Sequence, residues 1–142
     1  MFIKKIINEL TRSGVNYALV GGYAVALHGA IRGTVDVDLV IALEKGQFLA
    51  AEEALTSLGL SPRLPVGANE VFDFREEYIR NKNLSAWSFY NPDNPLEIVD
   101  IIITTDVRDM KTVEKKFNHL TIKVASIPDL IKMKRLSGRP QD

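Results

Sequence analysis

Gly21-Gly22-Tyr23-Ala24-Val25-Ala26-Leu27-His28-Gly29-Ala30-Ile31-Arg32-Gly33-Thr34-Val35-Asp36-Val37-Asp38 is the stretch that decides the fold. It follows one apolar run, Tyr17 to Val20, and leads into another, Leu39 to Leu43. This order predicts a strand, a glycine turn, a short helix and a second strand. Glycine tolerates unusual backbone angles and lets a ligand come close to the main chain. The amides that open the following helix favour an anion, most often a phosphate. Gly29 suits the left-handed cap that closes such a helix. Side chains alternate along a strand, so Asp36 and Asp38 share one face while Val37, Leu39 and Ile41 take the other. Two carboxylates side by side repel, and a hard divalent cation between them is the usual remedy. A phosphate cradle joined to such a pair suits a nucleoside triphosphate carrying magnesium.

A third carboxylate lies downstream. Asp100 interrupts Leu96-Glu97-Ile98-Val99-Asp100-Ile101-Ile102-Ile103, the most strand-like run in the chain. An unpaired carboxylate there costs on the order of several kcal/mol. Ile98 and Ile102 share its face; Glu97 points to the other and is a poor alternative ligand. Asp100 therefore either completes a trio with Asp36 and Asp38, pairs with a lysine or arginine, or marks a strand end where the face turns to solvent.

Taken together, Gly21-Gly22, Arg32-Gly33-Thr34-Val35-Asp36-Val37-Asp38-Leu39 and Asp100 resemble the nucleotidyltransferase superfamily, which includes polymerase beta and the aminoglycoside nucleotidyltransferases. His28-Gly29 and Arg32-x-Thr34 are closer to its AbiEii-like branch, the nucleotidyltransferase toxins of type IV toxin–antitoxin systems. The tail, Ile127-Pro128-Asp129-Leu130-Ile131, then Lys134 and Gly138-Arg139-Pro140-x-Asp142, is similar to the end of the core in that branch. Many members open with Gly-Ser, whereas Gly22 stands at the second position here, so a serine contact to phosphate is missing. The resemblance implies that Asp36 and Asp38 ligate two Mg2+ (or Mn2+) ions. It implies that Asp100 ligates the activating ion and accepts the proton of an attacking hydroxyl. Transfer of a nucleoside monophosphate to that hydroxyl is the implied reaction.

Composition sets the outer limits. The chain has 142 residues, which predicts one domain with one sizeable core. Apolar residues make up 46%, charged residues 25%, and the formal net charge is zero, so no global field recruits nucleic acid. There are no cysteines, which excludes disulfides and thiolate metal sites. The N-terminus lacks the pattern of a signal peptide, and no apolar run is long enough to span a membrane. A cytoplasmic protein is expected.

Along the chain, Ile3, Ile6, Ile7 and Leu10 predict an amphipathic first helix, stopped at Ser13-Gly14. Strands are expected over Tyr17 to Val20 and Asp36 to Ala42. Phe48, Ala51, Leu55 and Leu58 mark a long helix ended by Gly59. Ser61 to Pro65 reads as extended chain or loop. Asn69 to Lys82 is ambiguous: Asn69 as an N-cap would put Val71, Phe74 and Tyr78 on one helical face. Leu84 to Tyr90 and Leu96 to Ile103 read as neighbouring strands joined by the turn Asn91-Pro92-Asp93-Asn94-Pro95. Met110, Val113 and Phe117 suggest a helix, Leu120 to Val124 a strand, and Ile127 to Leu136 a last helix. The class is α/β or α+β: a mixed sheet with helices packed on it.

The remaining candidates carry bland alternatives. Arg32 is a planar donor for phosphate or a solvated loop arginine. Thr34 is more simply a β-branched residue entering a strand, and His28 a satisfied structural histidine; His119 carries no motif. Trp87, Phe89 and Tyr90 offer to stack a nucleobase but are more often core. Lys111, Lys115 and Lys116 read as a solvated helix face. Asp93, Asp106 and Asp109 read as turn and helix-start residues. On the last helix Ile127, Leu130 and Ile131 form an apolar stripe, and Lys134 falls near its centre, with Lys132 and Arg135 off it. Lys134 then either snorkels to water or meets the carboxylates or a triphosphate. The partners expected are a nucleoside triphosphate, an acceptor (tRNA, protein or small molecule), a cognate toxin or antitoxin, and a second copy in a homodimer. A non-catalytic nucleotide-binding or antitoxin-like module is the alternative.

Overall fold

The computed structural model describes residues 2–27, 36–117 and 119–136. The chain opens with α1 (Phe2–Arg12), β1 (Tyr17–Val20), α2 (Gly21–Leu27), β2 (Asp36–Ile41) and α3 (Lys45–Ser57). It continues through β3 (Ser61–Pro62), α4 (Ala68–Asp73), α5 (Arg75–Asn81), β4 (Ala86–Asn91) and β5 (Asn94–Asp106). A 3-10 turn at Val107–Asp109, then β6 (Thr112–Phe117), β7 (Leu120–Ala125) and α6 (Ile127–Leu136) complete it. His28, Gly29, Arg32, Gly33, Thr34 and the tail from Gly138 lie outside the described residues.

The strands form one mixed sheet in the order β3-β4-β5-β2-β1-β7-β6. The middle pairs β2–β5 and β1–β7 are parallel, while β1–β2, β3–β4, β4–β5 and β6–β7 are antiparallel. Alternation sorts the side chains. Val37, Leu39, Ile41, Val99, Ile101, Ile103, Trp87 and Phe89 fill the face covered by α1 and α3. Ile3, Ile6, Ile7 and Leu10 of α1 are all fully buried there. Each such side chain contributes about 1.5–3 kcal/mol. Trp87 stacks on Phe48 at 5.5 Å between ring centroids and meets Phe89 at 4.9 Å. These rings are core, so of the three aromatics only Tyr90 shares the carboxylates' face. The stack leaves Trp87 Nε1 buried without a hydrogen-bond partner among the described residues. Such a donor costs about 1–3 kcal/mol, which the ring packing offsets.

The opposite face is only part covered. Ala18, Val20, Val40, Ala42 and Ala125 pack there with Leu130 and Met133 of α6. Ser126 and Asp129 fix the start of α6: Asp129 N donates to Ser126 Oγ at 3.4 Å, and Ser126 Oγ donates to Asp129 Oδ2 at 2.9 Å. Lys111 N also donates to Asp129 Oδ2, at 2.7 Å, tying the helix to the sheet edge. Pro128 lies in the first turn, where its missing N–H costs nothing.

Three expectations fail, each for a physical reason. Met110, Val113 and Phe117 do not form a helix: β6 runs through Thr112–Phe117, with Val113 opposite Val124 and Phe117 opposite Leu120. Residues four apart fit period two as well as 3.6, and only the partner strand decides. Lys115 and Lys116 are accordingly strand residues. Asn69 to Lys82 is two short helices that meet at Phe74; Gly67 is the cap residue, and Phe74 is 51% exposed rather than on an inner face. On α6, Ile127 and Ile131 are 51% and 47% exposed, and the covered side carries Leu130 and Met133 instead. Asp106, by contrast, caps the 3-10 turn as read, accepting from Arg108 N at 2.9 Å. The Arg108 guanidinium beside it holds its carboxyl below the usual range. No helix among the described residues is long and apolar enough to cross a membrane.

Candidate active site

Strand register assembles the site. Asp38 on β2 stands directly opposite Asp100 on β5, and Asp100 stands opposite Ser88 on β4. On the other side Asp38 pairs with Val20, the last residue of β1. One row across four strands thus reads Ser88, Asp100, Asp38, Val20. Asp36 lies two residues back on β2, on the same face, opposite Ile98. The sheet is what joins a carboxylate at position 100 to a pair at 36 and 38.

Ser88 Oγ donates to Asp100 Oδ1 at 2.5 Å. The Asp38 carboxyl lies within hydrogen-bonding reach of Asp100 across the β2–β5 ladder. Burial is the main force raising the Asp38 carboxyl, followed by the charge of Asp100, that hydrogen bond and the charge of Asp36; together they push it up to about 7. Among the described residues no lysine or arginine forms a salt bridge with Asp38 or Asp100. Glu97 faces away, accepting from Asn91 Nδ2 at 2.8 Å.

Gly21 has φ +71° and opens α2 immediately after β1. A Cβ there would lie 2.9 Å from both Cβ and Cγ of Asp38 and closer still to its carboxylate oxygen. The sequence suggests room for a phosphate at this glycine. The structure shows that the near neighbour is Asp38 itself: the missing side chain lets the β1–α2 turn lie against the β2 carboxylate.

These residues line an open cleft of about 500 Å³. Gly21, Gly22 and Val25 form one wall, Asp36, Asp38 and Asp100 the floor, and Leu130, Met133 and Lys134 of α6 the facing wall. Ser85, Ala86 and Ile102 close the far end. Lys134 therefore reaches the cleft although the apolar stripe that pointed to it is largely solvent-exposed. Of the proposed site residues, Gly21, Gly22, Asp36, Asp38, Asp100 and Lys134 come together, and Arg32 lies outside the described residues. Ser88 is the one that the sequence reading missed. Its only signal was register: two strands of a hairpin with Ser88 and Asp100 on matching positions about the turn.

Whether this floor suits a divalent cation can be judged from its donors. As they stand, no three carboxylate, histidine or cysteine side chains among the described residues form a ready metal cage. Burial and the neighbouring carboxylates Asp100 and Asp36 raise the Asp38 carboxyl. A hard oxygen-seeking ion would relieve that repulsion. Three carboxylates on one cleft floor are a donor set that fits magnesium or manganese.

The fold of the chain is like that of solved structures described as nucleotidyltransferases. Among solved structures, the chain matches a protein of Thermotoga maritima provisionally described as a nucleotidyltransferase, with TM-score 0.67 and 15% identity over 98% of this chain and 84% of the other. It also matches the antibiotic-resistance factor ANT(2'')-Ia, with TM-score 0.62 and 16% identity over 98% of this chain and 72% of the other. A crystal structure of ANT(2'')-Ia in complex with adenylyl-2''-tobramycin matches with TM-score 0.62 and 15% identity, covering 98% and 76%. No family model and no curated protein matches the sequence.

Proposed function

We propose that the protein is a divalent-metal-dependent nucleotidyltransferase that moves a nucleoside monophosphate from a nucleoside triphosphate to an acceptor hydroxyl. The observation that carries this reading is the row Asp38–Asp100 with Asp36 beside it, on the floor of a cleft that Lys134 also lines. Asp36, Asp38 and Asp100 are the residues that hold Mg2+ or Mn2+. When bound, the metal neutralises phosphate charge and lowers the pKa of the attacking hydroxyl. Asp100 accepts the proton of the acceptor hydroxyl. The acceptor oxygen bonds to the α-phosphorus, the bond to the bridging oxygen breaks, and pyrophosphate leaves. Lys134 offers an ammonium to the phosphates, and the Gly21-Gly22 turn lets them lie close to the main chain. Positioning and charge stabilisation supply most of the rate.

The acceptor is tRNA, a protein hydroxyl or a small molecule. ANT(2'')-Ia, by the name of its complex, carries an adenylyl group to tobramycin. A toxin role, with a cognate antitoxin as partner in the cytoplasm, draws on the resemblance of Gly21-Gly22 and of Ile127-Pro128-Asp129-Leu130 to the AbiEii-like branch. The alternative is a non-catalytic nucleotide-binding or antitoxin-like module that acts through a partner protein. Incubation with each of the four labelled triphosphates, Mg2+ or Mn2+, and RNA, protein and aminoglycoside fractions separates the readings. Label on an acceptor supports the enzyme. Binding of triphosphate without label on any acceptor supports the module.

Two effects follow at the site. Metal plus the preferred triphosphate at about ten times its dissociation constant stabilises the fold by roughly 1.4 kcal/mol. The melting temperature then rises by about 3–5 °C. A melting curve unmoved by millimolar metal and every triphosphate rules out nucleotide binding. Lys134→Met keeps much of the stem and removes the charge. It weakens triphosphate binding by roughly ten- to a hundredfold, the worth of a charge-assisted hydrogen bond of about 1.5–3 kcal/mol. Unchanged titration and unchanged turnover would assign Lys134 to snorkelling.

A further inference from the structure

We infer that Ser88 is a positioning residue: its hydroxyl fixes the rotamer of Asp100, so that the carboxylate oxygen not bonded to Ser88 faces Asp38 and is presented to the metal and to the acceptor hydroxyl. The inference rests on the nucleotidyltransferase reading and extends it to a residue outside the acidic trio.

Three observations carry it. Ser88 and Asp100 are directly paired across β4 and β5, so the contact is set by backbone register and not by a flexible reach. The hydrogen bond is short, 2.5 Å from Ser88 Oγ to Asp100 Oδ1. A serine hydroxyl has one proton to donate, and Asp100 receives it, so one of the two carboxylate oxygens is engaged on the side away from Asp38. The row Ser88, Asp100, Asp38 therefore has a direction: Ser88 holds Asp100 from the β4 side while Asp38 meets it from the β2 side.

A carboxylate that must ligate an ion and accept a proton has two rotatable bonds to freeze. Partners of metal-binding carboxylates freeze them, and removing such a partner typically costs about ten- to a hundredfold in metal affinity or activity. A purely structural serine would act differently. It would satisfy Asp100 in the fold, and its loss would appear in stability alone.

The test compares wild type with Ser88→Ala and Ser88→Thr, using Mn2+ alone as the probe in calorimetric titration, then single-turnover transfer with the preferred triphosphate. Ser88→Ala is expected to lower Mn2+ affinity about tenfold and to reduce kcat far more than KM for the triphosphate. Ser88→Thr, which keeps a hydroxyl on a strand-compatible residue, is expected to restore both. Should Ser88→Ala fail to fold, Ser88→Cys keeps the size with a weaker donor, and an intermediate Mn2+ affinity is expected. Wild-type Mn2+ affinity in Ser88→Ala or Ser88→Cys, with or without a change in melting temperature, overturns the inference and leaves the function standing. If wild type itself takes up neither Mn2+ nor triphosphate, the function reading falls, and this assignment with it.

Discussion

Asp38→Asn is expected to abolish nucleotidyl transfer, by about 10³-fold or more, while making the metal-free protein more stable at neutral pH. The first effect follows from removing a charged ligand that stands directly opposite Asp100. Losing several kcal/mol of charge stabilisation in the transition state is worth at least that factor. The second follows from the raised carboxyl of Asp38, about 7 in the fold against an ordinary value of 3.8. Between about pH 4 and pH 7 the unfolded chain has lost this proton and the folded chain still holds it. The unfolded state is therefore favoured progressively as pH rises, and above pH 7 the penalty is constant. The cleft is open to solvent, so screening reduces the penalty to about 1–2 kcal/mol. Asparagine carries no charge, and its amide can donate to Asp100. Urea unfolding of both proteins from pH 4 to pH 8 in chelator measures the difference. The gap is expected to open with rising pH and to close for wild type when millimolar Mg2+ or Mn2+ is added. A variant destabilised by several kcal/mol at pH 7 would show Asp38 to be a structural residue.

Gly21→Ala is expected to be the most damaging small substitution in the chain. Two costs add. An alanine at φ +71° pays about 1–3 kcal/mol for the left-handed backbone. Its methyl group would press on Asp38 Cβ and Cγ at 2.9 Å, and overpacking of that kind costs about 1–3 kcal/mol. A loss of about 2–5 kcal/mol is the sum, together with loss of transfer, because the displaced group is Asp38. The double variant Gly21→Ala/Asp38→Gly separates the two costs. Relief of the contact should return about 1–3 kcal/mol. If the double variant is no more stable than the sum of the single ones predicts, the backbone angle alone is responsible, and the close approach to Asp38 contributes nothing.

The close approach also explains why glycine begins α2 when many proteins that the sequence resembles have a serine one position later. Gly21 is required by Asp38 and by the backbone, whatever occupies the cleft. Gly22 also lines the cleft and does not share the positive φ of Gly21. The short helix that follows sits on β1 and β2 and touches α6, so it links the two walls of the site.

Local pattern alone determined a good deal. Tyr17–Val20 and Ile127–Leu136 are bounded as periodicity and the glycine and proline signals require. Ile3, Ile6, Ile7 and Leu10 could bury one face only as a helix, and they do. Alternation was enough to place Asp36 with Asp38, and Asp100 with Ile98 and Ile102, because a strand has only two faces. The trio was legible for a simple reason: charge inside an apolar strand is costly and therefore conspicuous.

Tertiary structure decided the rest. Val113 and Phe117 fit a helix or a strand equally by spacing, and β7 made them a strand. Trp87 and Phe89 could have stacked a base, but Phe48 of α3 takes the ring of Trp87. Ile127 and Ile131 form a stripe in one dimension, yet the sheet accepts Leu130 and Met133, since the face of a helix that is buried depends on where its neighbours stand. That β5 lies beside β2, with Asp100 level with Asp38 and Ser88 level with both, is a matter of strand order and register. The parallel β2–β5 ladder that levels Asp38 with Asp100 joins distant segments, and no local pattern encodes it; the β4–β5 hairpin then brings Ser88 level with Asp100.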